Sequence, residues 1–263
     1  MGTVYDALNK GQREVARVAP VTDERLRGVA EQADWAEFLT QVDPHLITHR
    51  EADPAAVEQF KTLRTRLFLH NDNPPRTVLV ASSVAGEGKT LVAANLAISL
   101  ALGLVGEALV VDCDLRCPGQ HRLFGLPERR GLADYLMREA SLETLVVRTP
   151  LERLWLLPSG AMLRRNAPEL LSLPRMAELF GELRERFPGH RIICDSPPLS
   201  AGPDAAILAR HVDAALLVVR GQEAGREVVA RALNMLGRQR VAGVVFNGSQ
   251  AVKDVQRYER QAA

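Results

Sequence analysis

The chain has 263 residues, 46% of them hydrophobic and 25% charged, with a formal net charge of +1. This balance suits a soluble protein with one full hydrophobic core. It offers no charge-based reason to expect a nucleic-acid or acidic-membrane partner.

Three cysteines do not make a disulfide framework, and Cys113 and Cys117 lack the second pair of a zinc knuckle. Cys113 and Cys194 each adjoin an aspartate at the end of an apolar run, the setting of a small buried thiol in a reducing compartment. No charged, apolar and cleavable leader opens the chain. The longest apolar region, Leu91 to Val111, is interrupted by Asn95, Ser99 and Glu107, and it is read as a buried helix followed by a buried strand rather than a membrane span.

Val4 to Arg17 carries a weak helical pattern, and a mixed polar stretch containing Pro20 then runs to Asp53. This segment is either a mobile arm or a docking element. Asp53 is placed to cap a helix with Pro54 in its first turn, and Val57, Phe60, Leu63, Leu67 and Phe68 recur at helical spacing up to His70. Thr77 to Ala81 is expected as a buried strand. The segment Ser83-Val84-Ala85-Gly86-Glu87-Gly88-Lys89-Thr90 follows, then a helix from Thr90 to Leu102 and a second buried strand from Ala108 to Val111.

Strands are expected next at Leu154 to Leu157, Arg191 to Cys194, Ala215 to Val219 and Val241 to Phe246. The helices between them are Leu170 to Phe187, interrupted or shifted by Pro174, Asp204 to Arg210, and Gly225 to Leu236. This order marks an α/β fold, a P-loop NTPase with a mostly parallel central sheet flanked by helices.

A phosphate loop needs small residues so that successive backbone amides can curve around an anion, and Gly86 and Gly88 meet that need. Lys89 supplies a point charge for the β and γ phosphates and the Thr90 hydroxyl can bind Mg²⁺, so a nucleoside triphosphate with Mg²⁺ is the expected ligand. Ser83 stands where the strict pattern has glycine, but the strand before the loop and the helix after it supply the context. Asp112 and Asp114 end the second strand and, two apart, share one side of it. Asp195 follows Ile192-Ile193-Cys194 as the second metal-orienting carboxylate of a phosphate-loop protein would. Lys89, Asp112, Asp114 and Asp195 together suit phosphoryl transfer, with the acceptor left open among water, a protein hydroxyl and a small metabolite.

From Asp53 to Asn247 the chain resembles the bacterial tyrosine kinases of the polysaccharide co-polymerase system, related in fold to the MinD and ParA ATPases. The resemblance is carried by Glu58 to Thr65, Gly86-Glu87-Gly88-Lys89-Thr90, Asp112-Cys113-Asp114-Leu115-Arg116, and His121-Arg122-Leu123-Phe124-Gly125. It continues through Leu157-Pro158-Ser159-Gly160, Asn166 to Leu171, and Asp195-Ser196-Pro197-Pro198. Ser83 occupies the position of the extra signature lysine of MinD and ParA, which favours the kinases.

The resemblance implies that Lys89 contacts the ATP phosphates and that Thr90, Asp114 and Asp195 hold Mg²⁺ and its waters. Asp112 is implied as the base or hydroxyl-positioning residue. It implies a kinase domain at 54–247, an N-terminal helix and arm at 1–53, and a tail at 248–263 whose one tyrosine, Tyr258, is the acceptor; Tyr5 is a second conceivable acceptor, and Tyr135 is expected to pack inside. Glu58, Lys61 and Arg64 match an oligomerisation motif, with Lys61 in place of the usual arginine and its bidentate fork.

The implied setting is a homo-oligomer, such as a ring, in the cytoplasm, recruited to the inner face of the membrane by a membrane-bound polysaccharide co-polymerase activator. The implied role is autophosphorylation that regulates capsule or exopolysaccharide chain length and export. A MinD-like regulatory ATPase and a nucleotide-bound, non-catalytic subunit of the export complex are the alternatives.

Overall fold

The computed structural model describes residues 42–46, 53–70, 72–103, 106–163, 165–221 and 225–248. Tyr5, Tyr258 and most of the two flanking segments lie outside them. The strands are β1 (Thr77–Ser82), β2 (Glu107–Asp112), β3 (Val147–Arg148), β4 (Leu154–Leu157), β5 (His190–Asp195), β6 (Ala214–Arg220) and β7 (Val241–Asn247). The helices are α1 (Pro54–Arg64), α2 (Lys89–Ala101), α3 (Gln120–Leu123), α4 (Leu132–Leu136), α5 (Leu142–Leu145), α6 (Ala167–Leu171), α7 (Pro174–Arg186), α8 (Asp204–Leu208) and α9 (Arg226–Leu236).

The strands form one sheet in the order β3-β4-β2-β5-β1-β6-β7. Every pairing is parallel except β3 with β4. Helices cover both faces, so the central strands are apolar throughout rather than alternating. Period two still sorts their side chains: Leu79, Leu109, Ile192 and Leu217 join a core with α7 and α8, whereas Val78, Val80, Val110, Ile193 and Leu216 join the core beneath α2.

Asp53 caps α1 as its position suggests, its Oδ1 accepting from the amides of Ala55 at 3.0 Å and Ala56 at 3.2 Å. The expected continuous helix to His70 instead changes to a π-helical turn at Thr65–Leu69, which turns Leu67 and Phe68 into the core. The expected helix from Leu170 to Phe187 is two helices, α6 and α7. Each has a proline in its first turn, where the missing N–H costs least. The two-residue β3 was not expected, and neither were α3, α4 and α5, which are too short to show a period. Cys113 and Cys194 are buried free thiols, and Tyr135 is buried with its hydroxyl donating to Glu182 Oε1 at 2.6 Å.

Residues 42–46, ahead of the Asp53 cap, pack on α2 and α3. Val42 and Leu46 are buried, the Asp43 amide donates to the Leu123 carbonyl at 3.0 Å, and Asn95 Nδ2 donates to the His45 carbonyl at 3.1 Å. The folded unit therefore includes part of the segment before α1. Leu46→Ala is expected to destabilise the chain by about 2–5 kcal/mol in urea unfolding, the range for emptying a fully buried leucine site. An unchanged midpoint would show that this segment does not belong to the core.

Candidate functional site

The parallel register brings the chemistry to one edge. β1, β2 and β5 are neighbours, Asp112 and Asp195 are directly paired at the C-terminal ends of β2 and β5, and the loop after β1 leads straight into α2. Strand ends on both sides of β5 thus face the N-terminus of α2, whose unpaired amides and dipole favour an anion.

The loop has left-handed backbone at Gly86 (φ +85°) and Gly88 (φ +89°) and nowhere else. Ser83 has no such backbone, so replacing the customary glycine there creates no strain. Gly88 is needed twice over, since a Cβ would sit 2.1 Å from Asn247 Nδ2. Asn247 in turn donates to the Glu87 carbonyl at 2.9 Å. The buried Glu87 carboxylate accepts from the Val84 amide at 2.9 Å and the Arg220 amide at 3.3 Å. Glu87 therefore fastens the loop to the ends of β6 and β7 while Val84, Ala85 and Gly86 are exposed. A cleft lined by Val84, Ala85, Gly86, Arg220 and Val228 opens beside it.

Lys89 Nζ lies 3.0 Å from Asp114 Oδ2, 3.5 Å from Asp195 Oδ1 and 3.0 Å from Thr90 Oγ1. Burial lowers the proton affinity of this amine, but Asp195 and Asp114 together outweigh it and keep the lysine charged. Asp112 is held differently. Its Oδ2 accepts from the amides of Gly119 and Gln120, both at 3.0 Å, and its Oδ1 from the Asp114 amide at 3.2 Å. Complete burial, then the Asp195 charge, push its carboxyl up to about 7 against these hydrogen bonds. Burial also raises Asp195, opposed chiefly by Lys89 and Gln120.

Lys89, Thr90, Asp112, Asp114 and Asp195 thus come together as the sequence suggests. Glu58 and Lys61 are exposed on α1 and pair with each other at 2.6 Å. Arg64 points elsewhere, its Nη1 donating to the Ser99 carbonyl in the last turn of α2, so it serves as a C-terminal cap.

Two further contributions were not legible in the sequence, the partner of Arg116 and the role of Gln120. Arg116 makes a bidentate contact with the buried Asp204, 3.1 Å at both oxygens, tying the turn after β2 to the segment after β5. Gln120 Nε2 donates to the Thr90 carbonyl and to Asp195 Oδ2, both at 3.0 Å. Its place beside His121-Arg122-Leu123-Phe124-Gly125 was the only signal of it.

The residues fit a divalent cation. Three buried carboxylates face one lysine, and Gln120 Oε1 and Ser83 Oγ are buried without a hydrogen-bond partner. Among the described residues no group of three or more His, Cys, Asp and Glu side chains is placed to hold a metal ion by itself. A Mg²⁺ held with a nucleotide needs none, because phosphate oxygens and waters supply most of its ligands.

The chain is 32% identical over 217 residues to the tyrosine-protein kinase YwqD of Bacillus subtilis, covering 81% of this chain and 90% of that protein. It is 33% identical over 221 residues to the putative tyrosine-protein kinase EpsB of Ralstonia nicotianae, covering 82% of this chain but only 29% of that longer protein. The kinase domain of the Escherichia coli tyrosine kinase ETK superposes with a TM-score of 0.71 at 27% identity, covering 79% of this chain and 81% of that domain. A MinD protein from Pyrococcus horikoshii and a ParA-family ATPase from Chlorobium tepidum share the fold, with TM-scores of 0.50 and 0.51 at 24% and 19% identity. No protein-family model matches. A fold and sequence shared with these kinases over most of YwqD, with a glycine loop faced by three strand-end carboxylates, show that the chain belongs to the bacterial tyrosine-protein kinase family.

Proposed function

We propose that this chain is an ATP-dependent protein-tyrosine autokinase that regulates capsule or exopolysaccharide chain length and export. The observation that carries the reading is the convergence of Lys89, Asp112, Asp114 and Asp195 on the N-terminus of α2. In this reading the amides of residues 85–90 bind the phosphates and Lys89 offsets their charge at the bridging oxygens. The Thr90 hydroxyl, with Asp114 and Asp195 acting through water, would hold Mg²⁺, which supplies charge neutralisation for the transferred γ-phosphoryl.

Asp112 accepts the acceptor hydroxyl's proton as the phosphorus–oxygen bond forms and ADP leaves. The proton goes to Oδ1, which carries a single amide contact, whereas Oδ2 is anchored by two. Because Asp112 is completely buried, a tyrosine reaches it in this reading only after the site opens locally. A carboxyl poised near neutrality suits that task.

The acceptor in this reading is Tyr258, with Tyr5 as the alternative. Ring assembly and recruitment to the inner membrane face by a co-polymerase activator rest on the family and on the exposed Glu58 and Lys61 face of α1. The division into 1–53, 54–247 and 248–263 rests on the extent of the family resemblance, with residues 42–46 of the first segment packed on the kinase unit. Among the described residues no helix is long and apolar enough to cross a membrane. A hydrolytic, MinD-like cycle is the second reading, and the fold shared with MinD and ParA ATPases is what keeps it open.

Incubation of the full chain with γ-labelled ATP and Mg²⁺, with and without the cytosolic segment of its activator, followed by residue-level phosphate mapping, separates the readings. Label on Tyr258 that is abolished in Lys89→Ala and lowered at least about 100-fold in Asp112→Ala is expected, the scale of removing a general base. Free phosphate without labelled protein would establish the hydrolytic cycle instead.

Protonation of Asp112 is testable through stability. Its carboxyl is raised from 3.8 to about 7 on folding, so the stability it contributes is full below the unfolded value and is lost as pH rises through the folded one. Melting of wild type and Asp112→Asn across pH 4 to 8 is expected to show the variant gaining on wild type as pH rises to about 7, with no further change above it. A constant difference across the range would mean that Asp112 is ionised throughout.

A further inference from the structure

Gln120 opens the short helix α3 immediately after Gly119, and its side chain is completely buried. It touches all three elements that build the site. Its backbone amide donates to Asp112 Oδ2 at the end of β2, and its Nε2 divides between the Thr90 carbonyl in α2 and Asp195 Oδ2 at the end of β5, each at 3.0 Å.

Both side-chain partners are acceptors, so the carboxamide has one allowed orientation. Turned over, it would press Oε1 against a carbonyl and a carboxylate in a buried site. Asp195 is correspondingly fixed at both oxygens, by Lys89 Nζ at 3.5 Å on Oδ1 and by Gln120 on Oδ2. Thr90, whose hydroxyl lies 3.0 Å from Lys89, is held at its carbonyl by the same amide. Gln120 Oε1 makes no hydrogen bond to the protein, which leaves one buried acceptor over.

We propose that Gln120 is a positioning residue: one carboxamide sets the mutual orientation of Thr90 and Asp195, and through them the affinity of the site for Mg²⁺ with a nucleotide. The inference rests on the Mg²⁺-nucleotide part of the reading above and is independent of which group accepts the phosphate. Removing a group that orients metal ligands from behind lowers metal affinity by about 10–100-fold, while the backbone amides that bind phosphate are untouched. A residue that only filled space would affect folding and not this balance.

The test is binding of a fluorescent N-methylanthraniloyl-ADP to the full chain, in EDTA and in a Mg²⁺ titration, for wild type, Gln120→Met and Gln120→Glu. Methionine keeps the volume without the donor, and glutamate keeps the shape but presents only acceptors when ionised. Both variants are expected to bind the nucleotide in EDTA within about twofold of wild type and to need about tenfold or more Mg²⁺ for half-maximal tightening. Equal Mg²⁺ requirements in wild type and both variants would overturn the role of Gln120, as would a loss of binding that is the same in EDTA and in Mg²⁺. A wild type whose nucleotide binding ignores Mg²⁺ would instead overturn the parent reading. If Gln120→Met fails to fold by circular dichroism, Gln120→Asn, which keeps the amide but shortens its reach, gives the same comparison.

Discussion

Lys89 reaches two buried carboxylates at once, Asp114 at 3.0 Å and Asp195 at 3.5 Å, with a third, Asp112, close behind. Burying this many like charges is costly unless each oxygen is hydrogen-bonded or the charge is offset. The chain answers with backbone amides and one side-chain carboxamide. Gly119 and Gln120 hold Asp112, Cys117 holds Asp114 at 2.9 Å, and Gln120 holds Asp195. One lysine against Asp114 and Asp195, with Asp112 raised to about 7, leaves the site short of positive charge, which suits the proposed role of holding a cation together with phosphate.

The rest of the architecture positions this cluster. A parallel sheet sends the C-terminal ends of adjacent strands to the same edge, so β2 and β5 deliver Asp112 and Asp195 side by side without any long loop. β1, the strand between β5 and β6 in the sheet, leads into the glycine loop. Two clamps keep the connecting turns in place: Arg116 with Asp204 between the segments that follow β2 and β5, and Glu87 with Asn247 between the loop and β7. Both are made by residues far apart in sequence, and both bury their polar atoms against backbone or an opposite charge, which gives them one arrangement.

What could be read from the chain alone was whatever is local. The strand, glycine loop and helix from Thr77 to Ala101 announce themselves within one stretch, and the carboxylates at 112, 114 and 195 stand at the ends of apolar runs that can hardly be anything but buried strands. The Asp53 cap and the proline-led start of α7 are local too. Gln120 was invisible because its role arises from contacts with Thr90 and Asp195, respectively 30 and 75 residues away. The contact of Arg64 was equally hidden, because the Ser99 carbonyl that accepts from its guanidinium lies 35 residues along the chain, in the last turn of α2. The two-residue β3 exists only because β4 is there to pair with it.

If the buried carboxylates, Lys89 and the glycine loop form one site for a nucleotide together with Mg²⁺, as proposed, the two ligands stabilise the fold jointly. Thermal melting of the full chain with ADP alone, MgCl₂ alone, and both reads this out, since a ligand that binds the folded state raises the midpoint according to its affinity. The two together are expected to raise the midpoint well beyond the sum of their separate effects. Shifts that merely add would contradict a joint site.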